Sequence, residues 1–287
     1  MQPHYFLSID GGGTRCRARL TDRQNHLLAE AVGGPANVWS QFEAALASVE
    51  ALTERVMTAA GLPPAARAQT AMVAGLAGAN VASVKARLAD WQPVCASLRV
   101  VGDVDIACLG AHQGAPGAAL IVGTGSQGVL WDGERFSRVG GWGFALSDHG
   151  SGAELGRRTL RLALLAHEGI VPETAFTDRV MGRFDRSPEA MLLWTQRAMP
   201  ADWGSVVPEV FAAAQAGDPH ANQLIQQTAD DIALLVRRLM GADGGRLALM
   251  GGLAEPVQPW LAPDILAMLV PPLGDALSGA GWLARQD

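Results

Sequence analysis

The chain has 287 residues, of which 49% are hydrophobic and 17% charged, and its formal net charge is -6. This length predicts one large domain or two lobes with a sizeable core, and the acidic balance argues against nucleic acid as a partner. No apolar run approaches the roughly 20 residues that span a bilayer, and no signal peptide pattern is present. The three cysteines (Cys16, Cys95 and Cys108) lack paired spacing. We therefore expect no disulfide framework or zinc site, and a cytoplasmic location.

The first residues predict an antiparallel meander. Residues 5–10 form a predicted strand that runs into the glycines Gly11–Gly13, and residues 14–21 alternate as a half-exposed strand. Residues 22–25 are typical of a turn, and residues 27–32 predict a third strand.

The same plan returns later in the chain. Residues 118–139 predict a strand, the glycine turn Gly123–Ser126 and a hairpin of two further strands. We interpret this as a structural duplication. It predicts an N-terminal lobe over residues 1–108 and a C-terminal lobe over residues 109–272, each with one glycine turn facing a cleft.

Helices are predicted between and after these strands. Ser40 and Glu43 have the spacing of a capping box at the start of a helix that ends near residue 60. Further helices are predicted at residues 152–168, 203–216, 219–241 and 273–285, and further strands at residues 70–77, 97–102 and 246–250. The C-terminal segment 273–287 is expected to pack back on the first lobe.

Lysine content excludes two kinds of ATP site. The only lysine, Lys85, lies in a mixed polar and apolar stretch that predicts an exposed helix face. A P-loop requires a lysine after its glycines, and a protein-kinase fold requires one on a strand. A chain that binds ATP without them would use backbone amides, hydroxyl groups and magnesium.

The glycine turns are candidate phosphate sites. Backbone N–H groups of Gly11, Gly12 and Gly13 can converge on a phosphate, Thr14 adds a hydroxyl group, and Asp10 can hold Mg²⁺ directly or through water. From this turn alone, a tight hairpin that merely requires glycine is as well supported as a phosphate site.

The segment Gly123-Thr124-Gly125-Ser126-Gln127-Gly128 matches a dinucleotide-binding fingerprint. That fingerprint must open a helix, whereas a strand is predicted here, so a second phosphate turn is the better interpretation. Gly251 and Gly252 follow a strand and could let an adenine lie on the backbone, although a turn into a helix is the commoner explanation.

Acidic residues supply candidates for proton transfer. Asp103 follows an apolar strand, where a carboxylate suits a general base, and Asp105 is its rival. Asp103 could equally be the N-cap of a helix, and a helix cap is also the alternative explanation for Asp148. Asn37 could bind sugar hydroxyl groups or be a plain loop residue, and Trp142 could shape a sugar pocket or belong to the core.

Taken in order, these segments resemble the sugar kinase, Hsp70 and actin ATPase superfamily, and within it the BadF/BadG/BcrA/BcrD branch with its bacterial glucosamine and N-acetylglucosamine kinases. The segments that carry the resemblance are Ile9–Thr14, Ala36-Asn37, Gly75–Gly78, Asp103, Gly123–Ser126, Gly140–Gly143, Ser147–Gly152, Leu249–Ala254 and Asp275–Ala280. The resemblance implies an α/β fold of two ribonuclease-H-like lobes, each a mixed sheet that opens with an antiparallel three-strand meander flanked by helices.

The resemblance also implies roles for individual residues. Gly11–Thr14 would hold the β- and γ-phosphates of ATP, Gly123–Gly125 (Gly123, Thr124 and Gly125) would cradle phosphate, and Gly251 with Gly252 would meet adenosine. The sugar would be lined by Asn37, Asp103, Gly125, Trp142 and Asp148, with Asp103 as the base on its 6-hydroxyl group. Arg15, directly after Thr14, leaves open whether a further phosphate contact exists there.

The expected activity is phosphorylation of an amino sugar by ATP and Mg²⁺, with D-glucosamine first and N-acetyl-D-glucosamine next. The expected partner is a small-molecule sugar, without nucleic acid or membrane, and a homodimer is a candidate assembly. The alternatives are an ATPase activator of a dehydratase or reductase, which would need cysteines for an iron–sulfur cluster, and a sugar-sensing protein that has lost catalysis.

Overall fold

The computed structural model describes residues 3–241 and 244–286. Within these ranges, none of the helices combines the length and the apolar character that crossing a membrane requires. The chain divides into two compact units. The first comprises the residues up to Ala119, together with Val129–Phe136 and the segment from Pro271 onward, and the second comprises Leu120–Gly128 and Ser137–Val270. The predicted lobe boundary at residue 108 stays a prediction.

The strands form two sheets. They are β1 (Tyr5–Gly11), β2 (Cys16–Asp22), β3 (Leu27–Gly33), β4 (Thr70–Leu76), β5 (Ser97–Gly102), β6 (Gly117–Val122), β7 (Ser126–Trp131), β8 (Phe136–Gly140) and β9 (Leu247–Met250). The first sheet has the order β3-β2-β1-β4-β5 and the second has the order β8-β7-β6-β9. Both predicted meanders are therefore present, and the predicted α/β fold with two mixed sheets is confirmed.

The α-helices are α1 (Phe42–Ala59), α2 (Ala82–Leu88), α3 (Asp103–His112), α4 (Gly152–His167), α5 (Ala175–Gly182), α6 (Pro188–Thr195), α7 (Pro200–Gly204), α8 (Val207–Gln215), α9 (Pro219–Met240), α10 (Ala254–Val257), α11 (Pro263–Leu266) and α12 (Ala276–Ala284). Short 3-10 helices cover Pro64–Gln69 and Gln258–Trp260.

In the first sheet, β1 pairs antiparallel with β2 and parallel with β4, and β4 pairs parallel with β5. On β2, Cys16, Ala18 and Leu20 are buried while Arg17 and Arg19 alternate with them on the opposite face. Every residue of β4 is buried, as expected for a strand in the middle of a sheet with both faces covered. The carboxyl ends of β1, β4 and β5 therefore lie along one edge of the sheet.

Helix α1 covers one face of this sheet. Val49, Leu52 and Val56 recur at helical spacing, are fully buried, and pack in the same core as Leu7, Ile9 and other sheet residues. These residues form an apolar stripe along the helix that faces the sheet.

Helices α3 and α12 pack closely against each other through glycines. A Cβ atom at Gly110 would lie 1.9 Å from the carbonyl oxygen of Asp275, and one at Gly279 would lie 2.0 Å from the carbonyl oxygen of Ile106. Only glycine permits this approach of two helix backbones. The C-terminal helix is thereby fixed in the first unit beside α3.

Some predicted details are wrong. Ser40 and Glu43 do not form a capping box, because α1 begins after Gln41 without a side-chain cap and the Ser40 N–H donates instead to Oδ1 of Asn37 at 3.1 Å. The helix predicted over residues 203–216 is replaced by α7 and α8. The last helix begins at Ala276, where Asp275 caps it by accepting from the Ser278 N–H. Helices α5 and α6 were not predicted.

Candidate active site

The edge formed by the carboxyl ends of β1, β4 and β5 carries the predicted acids of the first unit. The register places Asp10 beside Gly75 and Gly75 beside Val101. Asp103 comes two residues after Val101, as the first residue of α3. Both Asp10 and Asp103 therefore lie at this edge, with β4 between their strands. The structure thus brings the candidate magnesium ligand Asp10 and the candidate base Asp103 to one edge of the sheet.

The first glycine turn leaves backbone donors free. The Gly12 N–H closes the turn by donating to the carbonyl oxygen of Arg15 at 2.9 Å. The N–H groups of Gly13 and Thr14 have no acceptor among the described residues, and both residues are exposed. Adjacent free amides without bulky side chains are the geometry that binds phosphate. The turn therefore has backbone donors of the kind that a phosphate site requires.

Asp10 is oriented by a residue that the sequence did not identify. Arg17 donates from Nε and Nη2 to Oδ2 of Asp10, at 3.1 and 2.6 Å. Oδ1 of Asp10 has no hydrogen-bond partner among the described residues. A carboxylate oxygen beside a phosphate turn fits Mg²⁺, which commonly takes one or two protein carboxylates and completes its shell with water and phosphate. The alternation of β2 could have revealed Arg17, because it places this side chain opposite Asp10.

Asp103 and Asp105 have different surroundings. Asp103 is half-buried, and its Oδ1 accepts from the Val104 N–H at 2.9 Å. Asp105 is fully buried, and its Oδ2 accepts from the Gly102 N–H at 2.8 Å, which caps α3. The capping function considered for Asp103 therefore belongs to Asp105. Gly102, not Asp103, is the N-cap residue.

Burial raises the pKa of Asp103 to about 6, and the negative charges of Asp10 and Asp105 add to the effect, while the hydrogen bond from the Val104 N–H opposes it. A carboxylate with this pKa is ionised at neutral pH and accepts a proton more readily than an ordinary one. The side chain is therefore suited to act as a base.

The loop that carries Asn37 packs beside the first glycine turn. Oδ1 of Asn37 accepts from the N–H groups of Trp39 and Ser40, at 2.9 and 3.1 Å. Its Nδ2 would lie 3.9 Å from a Cβ atom placed on Gly13 and donates to no described residue. Asn37 thus fixes its own loop and keeps a free amide donor next to the turn.

Asn80 is a second neighbour that the sequence did not identify. A Cβ atom on Gly102 would lie 2.6 Å from Nδ2 of Asn80. This amide therefore lies against the residue that precedes Asp103. No pattern in the sequence marks Asn80, because its proximity depends on how the loop after β4 folds.

In the second unit, the turn Gly123–Gly125 lies on the N-terminus of α4. The N–H groups of Gly152 and Ala153 donate to the carbonyl oxygens of Gly123 and Thr124, at 2.7 and 3.1 Å. The Gly123 N–H closes the turn on the carbonyl oxygen of Gly125, while the N–H groups of Thr124 and Gly125 have no acceptor among the described residues. This turn therefore shares with the first one a pair of adjacent free amides.

Asp148 is tied to the second turn. Its Oδ1 accepts from the Ser126 N–H at 3.2 Å, and a Cβ atom on Gly125 would lie 3.0 Å from its Oδ2. Burial raises the pKa of Asp148, although the hydrogen bond from Ser126 opposes the shift. The capping alternative is wrong for Asp148, because Ser151 caps α4 by accepting from the Glu154 N–H. Asp148 also has a positive φ of 64°, a strained backbone that occurs often at functional sites.

Trp142 is not part of the core. It is 67% exposed, on a segment in which Gly140, Gly141 and Gly143 all have positive φ. The Gly141 N–H donates to the carbonyl oxygen of Ser126 at 3.1 Å, which places this segment next to the second glycine turn. An exposed indole beside a polar turn is available to contact a ligand.

Gly251 and Gly252 follow β9 and lie beside the end of β6. Gly251 has a φ of 96°, and a Cβ atom there would lie 2.4 Å from the carbonyl oxygen of Val122. The Leu253 N–H donates to the same oxygen at 3.0 Å. The Gly251-Gly252 pair is therefore adjacent to the residue that precedes Gly123, within the second unit. A Cβ atom on Gly252 would meet no atom of the described residues within 4 Å.

The cysteines are poor candidates for cluster ligands. Cys16 and Cys108 are buried and Cys95 is partly buried, and all three are free. Burial raises the pKa of the Cys16 thiol and of the Cys108 thiol to about 12, so both are protonated at neutral pH. An iron–sulfur cluster shared across a dimer would need accessible thiolates.

The chain matches a known protein family over most of its length. The sequence model of the BadF/BadG/BcrA/BcrD ATPase family matches residues 7–272. The chain belongs to this family. The predicted resemblance is therefore confirmed, and it covers nearly the whole chain.

Relatives of this BadF/BadG/BcrA/BcrD ATPase family protein include named sugar kinases. The chain is 39% identical to the glucosamine kinase GspK of Vibrio cholerae, over 96% of this chain and 94% of that protein. It is 26% identical to the N-acetylmuramic acid/N-acetylglucosamine kinase of Clostridium acetobutylicum, over 82% of this chain and 79% of that protein. A solved structure from Chromobacterium violaceum, assigned as an N-acetylglucosamine kinase, is 33% identical with a TM-score of 0.87, and the match covers 98% of this chain and 99% of that one.

Proposed function

We propose that this protein transfers the γ-phosphoryl group of ATP to the 6-hydroxyl group of an amino sugar, with D-glucosamine as the first substrate and N-acetyl-D-glucosamine as the next. The observation that carries the proposal is Asp103, a half-buried carboxylate with a pKa of about 6 at the same sheet edge as Asp10 and the first glycine turn. A base beside a phosphate-binding turn is what a kinase requires.

The reaction has a simple balance. The oxygen of the 6-hydroxyl group forms a bond to the γ-phosphorus, the bond from that phosphorus to the bridging oxygen breaks, and ADP leaves. The proton of the hydroxyl group passes to the carboxylate of Asp103. Ionised at neutral pH and with a raised pKa, Asp103 is matched to this task.

The glycine turns supply electrostatic stabilisation. The free N–H groups of Gly13 and Thr14 would donate to phosphate oxygens, and those of Thr124 and Gly125 would do the same. Asp10 would hold Mg²⁺ through Oδ1, and this ion neutralises charge on the phosphates when bound. Gly251 and Gly252 would lie along adenosine, a position supported by the open space at Gly252, where a Cβ atom would meet no described atom within 4 Å.

The proposed contacts to the sugar rest on the hydrogen-bond donors and acceptors near the two glycine turns. Nδ2 of Asn37 is free to donate to a hydroxyl group, Asp148 and Gly125 lie together at the second turn, and Trp142 exposes an apolar ring. We place glucosamine before N-acetylglucosamine because the relative with 39% identity is a glucosamine kinase.

Two further properties belong to the proposal. Free cysteines and the kinase relatives support a cytoplasmic location. Leu192, Leu193 and Met199, which are near one another in the sequence, are 61%, 49% and 66% exposed, and exposed apolar side chains that pair with a second copy would support a homodimer.

The test is ATP turnover measured by ADP release with glucosamine, N-acetylglucosamine, glucose, N-acetylmannosamine and no sugar. We expect the highest kcat/KM with glucosamine, and a product that carries phosphate on O6. Turnover that is equal with and without sugar would refute the kinase proposal and favour the ATPase activator. Nucleotide binding without any turnover would favour the sugar-sensing protein.

A further inference from the structure

Arg17 and Asp10 face each other in the register of β1 and β2. Opposed residues of an antiparallel pair project their side chains to the same face, so the ion pair is built into the strand pairing. The side chains of Arg17 and Asp10 retain only 30% and 20% of their exposure. The pair is therefore ordered more strongly than one on an open surface.

Arg17 binds Asp10 through one oxygen of the carboxylate. Its Nε and Nη2 both donate to Oδ2, although a guanidinium commonly pairs with both oxygens of a carboxylate. Oδ1 therefore keeps its full capacity as an acceptor or metal ligand. A contact that only neutralised charge would not need this arrangement.

Arg17 is held in turn by the C-terminal helix. Its Nη1 lies 3.7 Å from Oδ2 of Asp275, the residue that caps α12. Asp275 is itself fixed, because its Oδ1 accepts from the N–H and Oγ of Ser278 at 2.9 and 2.7 Å and from Nη1 of Arg19 at 3.2 Å. The glycine contacts of Gly110 and Gly279 set the position of α12 itself.

We propose that Arg17 and Asp275 are positioning residues that hold the carboxylate of Asp10 with Oδ1 free for the magnesium ion of the bound nucleotide, so that the C-terminal helix is part of the nucleotide site. This inference rests on the proposed function for the role of Asp10. It goes beyond it by assigning two residues to which the proposed function gives no contact with phosphate or sugar.

The experiment measures binding as well as activity, on the full-length protein. ADP affinity is measured by calorimetry over a series of Mg²⁺ concentrations, and the Mg²⁺ dependence of kcat is measured with the preferred sugar. The variants are Arg17→Met, Arg17→Lys and Asp275→Asn. Arg87→Met is the matched control, because Arg87 forms a surface ion pair with Glu43 in the same unit and does not touch Asp10.

We expect Arg17→Met to raise the Mg²⁺ concentration needed for half-maximal ADP binding by roughly 10- to 100-fold, the range typical of residues that orient a metal ligand. Arg17→Lys keeps the charge but not the fork and should recover part of the loss. Asp275→Asn keeps an oxygen that can cap α12 and should show a smaller change in the same direction. Arg87→Met should match the wild type.

The outcomes separate a positioning role from a structural one. The inference is wrong if Arg17→Met loses thermal stability while its Mg²⁺ dependence stays within about twofold of the wild type. Where the methionine variant does not fold, Arg17→Lys is judged by the same criterion. Because ADP binding needs no sugar, a wild type that binds Mg-ADP but phosphorylates no sugar would refute the proposed function and leave the positioning role measurable. A wild type whose ADP binding does not depend on Mg²⁺ would overturn the inference itself.

Discussion

The backbone N–H of Gly102 donates a 2.8 Å hydrogen bond to Oδ2 of Asp105 across the first turn of α3. This bond commits the fully buried Asp105 to capping the helix. Asp103, two residues earlier, is half-buried and keeps Oδ2 without a described hydrogen-bond partner. One helix start thus holds two acids with different surroundings, and the difference supports Asp103 as the base.

Asp103→Asn is expected to lower kcat by about 100- to 10,000-fold, the usual contribution of general base catalysis. The amide keeps the shape of the side chain but accepts no proton, so the affinities for ATP and sugar should change little. Steady-state kinetics and calorimetric binding measure the two effects separately.

Asp105→Asn is the matched control for that substitution. Its amide oxygen can still accept from the Gly102 N–H, so we expect modest destabilisation and kcat within about tenfold of the wild type. A larger loss in Asp105→Asn than in Asp103→Asn would exchange the roles assigned to the two acids.

The pH dependence of kcat/KM should show an acid limb. The pKa of Asp103 is raised to about 6, so below this pH the side chain is protonated and cannot accept the proton of the 6-hydroxyl group. We expect kcat/KM to fall about tenfold per pH unit below pH 6 and to be flat from pH 7 to 8. Initial rates in buffers of constant ionic strength check this.

Unfolding through Asp103 does not explain such a limb. A carboxyl group with a raised pKa in the folded state adds stability below its unfolded pKa, and this stability is lost as pH rises through about 6. Protonation of Asp103 at low pH therefore stabilises the folded state. If kcat/KM begins to fall only near pH 4, in a protein that is still folded by circular dichroism, the assignment of the acid limb to Asp103 is contradicted.

Substitutions at Gly251 and Gly252 separate the effect of backbone conformation on stability from the effect of ligand contact on ATP binding. Gly251→Ala places a methyl group against the carbonyl oxygen of Val122 at a φ of 96°, so we expect a loss of about 1 to 3 kcal/mol in the free energy of unfolding. Denaturation in urea measures it.

Gly252→Ala is the matched variant, since its methyl group would meet no described atom within 4 Å. It should fold with nearly unchanged stability and show a raised KM for ATP, because the methyl group would lie where adenosine is proposed to bind. An unchanged KM for ATP in the Gly252→Ala protein would remove Gly252 from the nucleotide site.

Local patterns in the sequence were enough to predict the two meanders, the glycine turns and the carboxylate after β5. These features follow from alternation, from glycine and from short spacing, which act over a few neighbouring residues. The combination of segments in order also identified the family, and the absence of a suitably placed lysine excluded a P-loop and a protein-kinase fold.

Contacts between residues far apart in the sequence were decided only by the tertiary structure. The sequence left Asp103 as either a base or a helix cap, with Asp105 as a rival base, and the structure shows that Asp105 caps α3. This choice depends on side-chain direction at the first turn. Ser40 lost its predicted capping role because Asn37 accepts from its N–H. The link from Asp10 through Arg17 to Asp275 joins residues more than 250 positions apart. It exists because glycines at positions 110 and 279 let two helix backbones meet, a condition that no local pattern encodes.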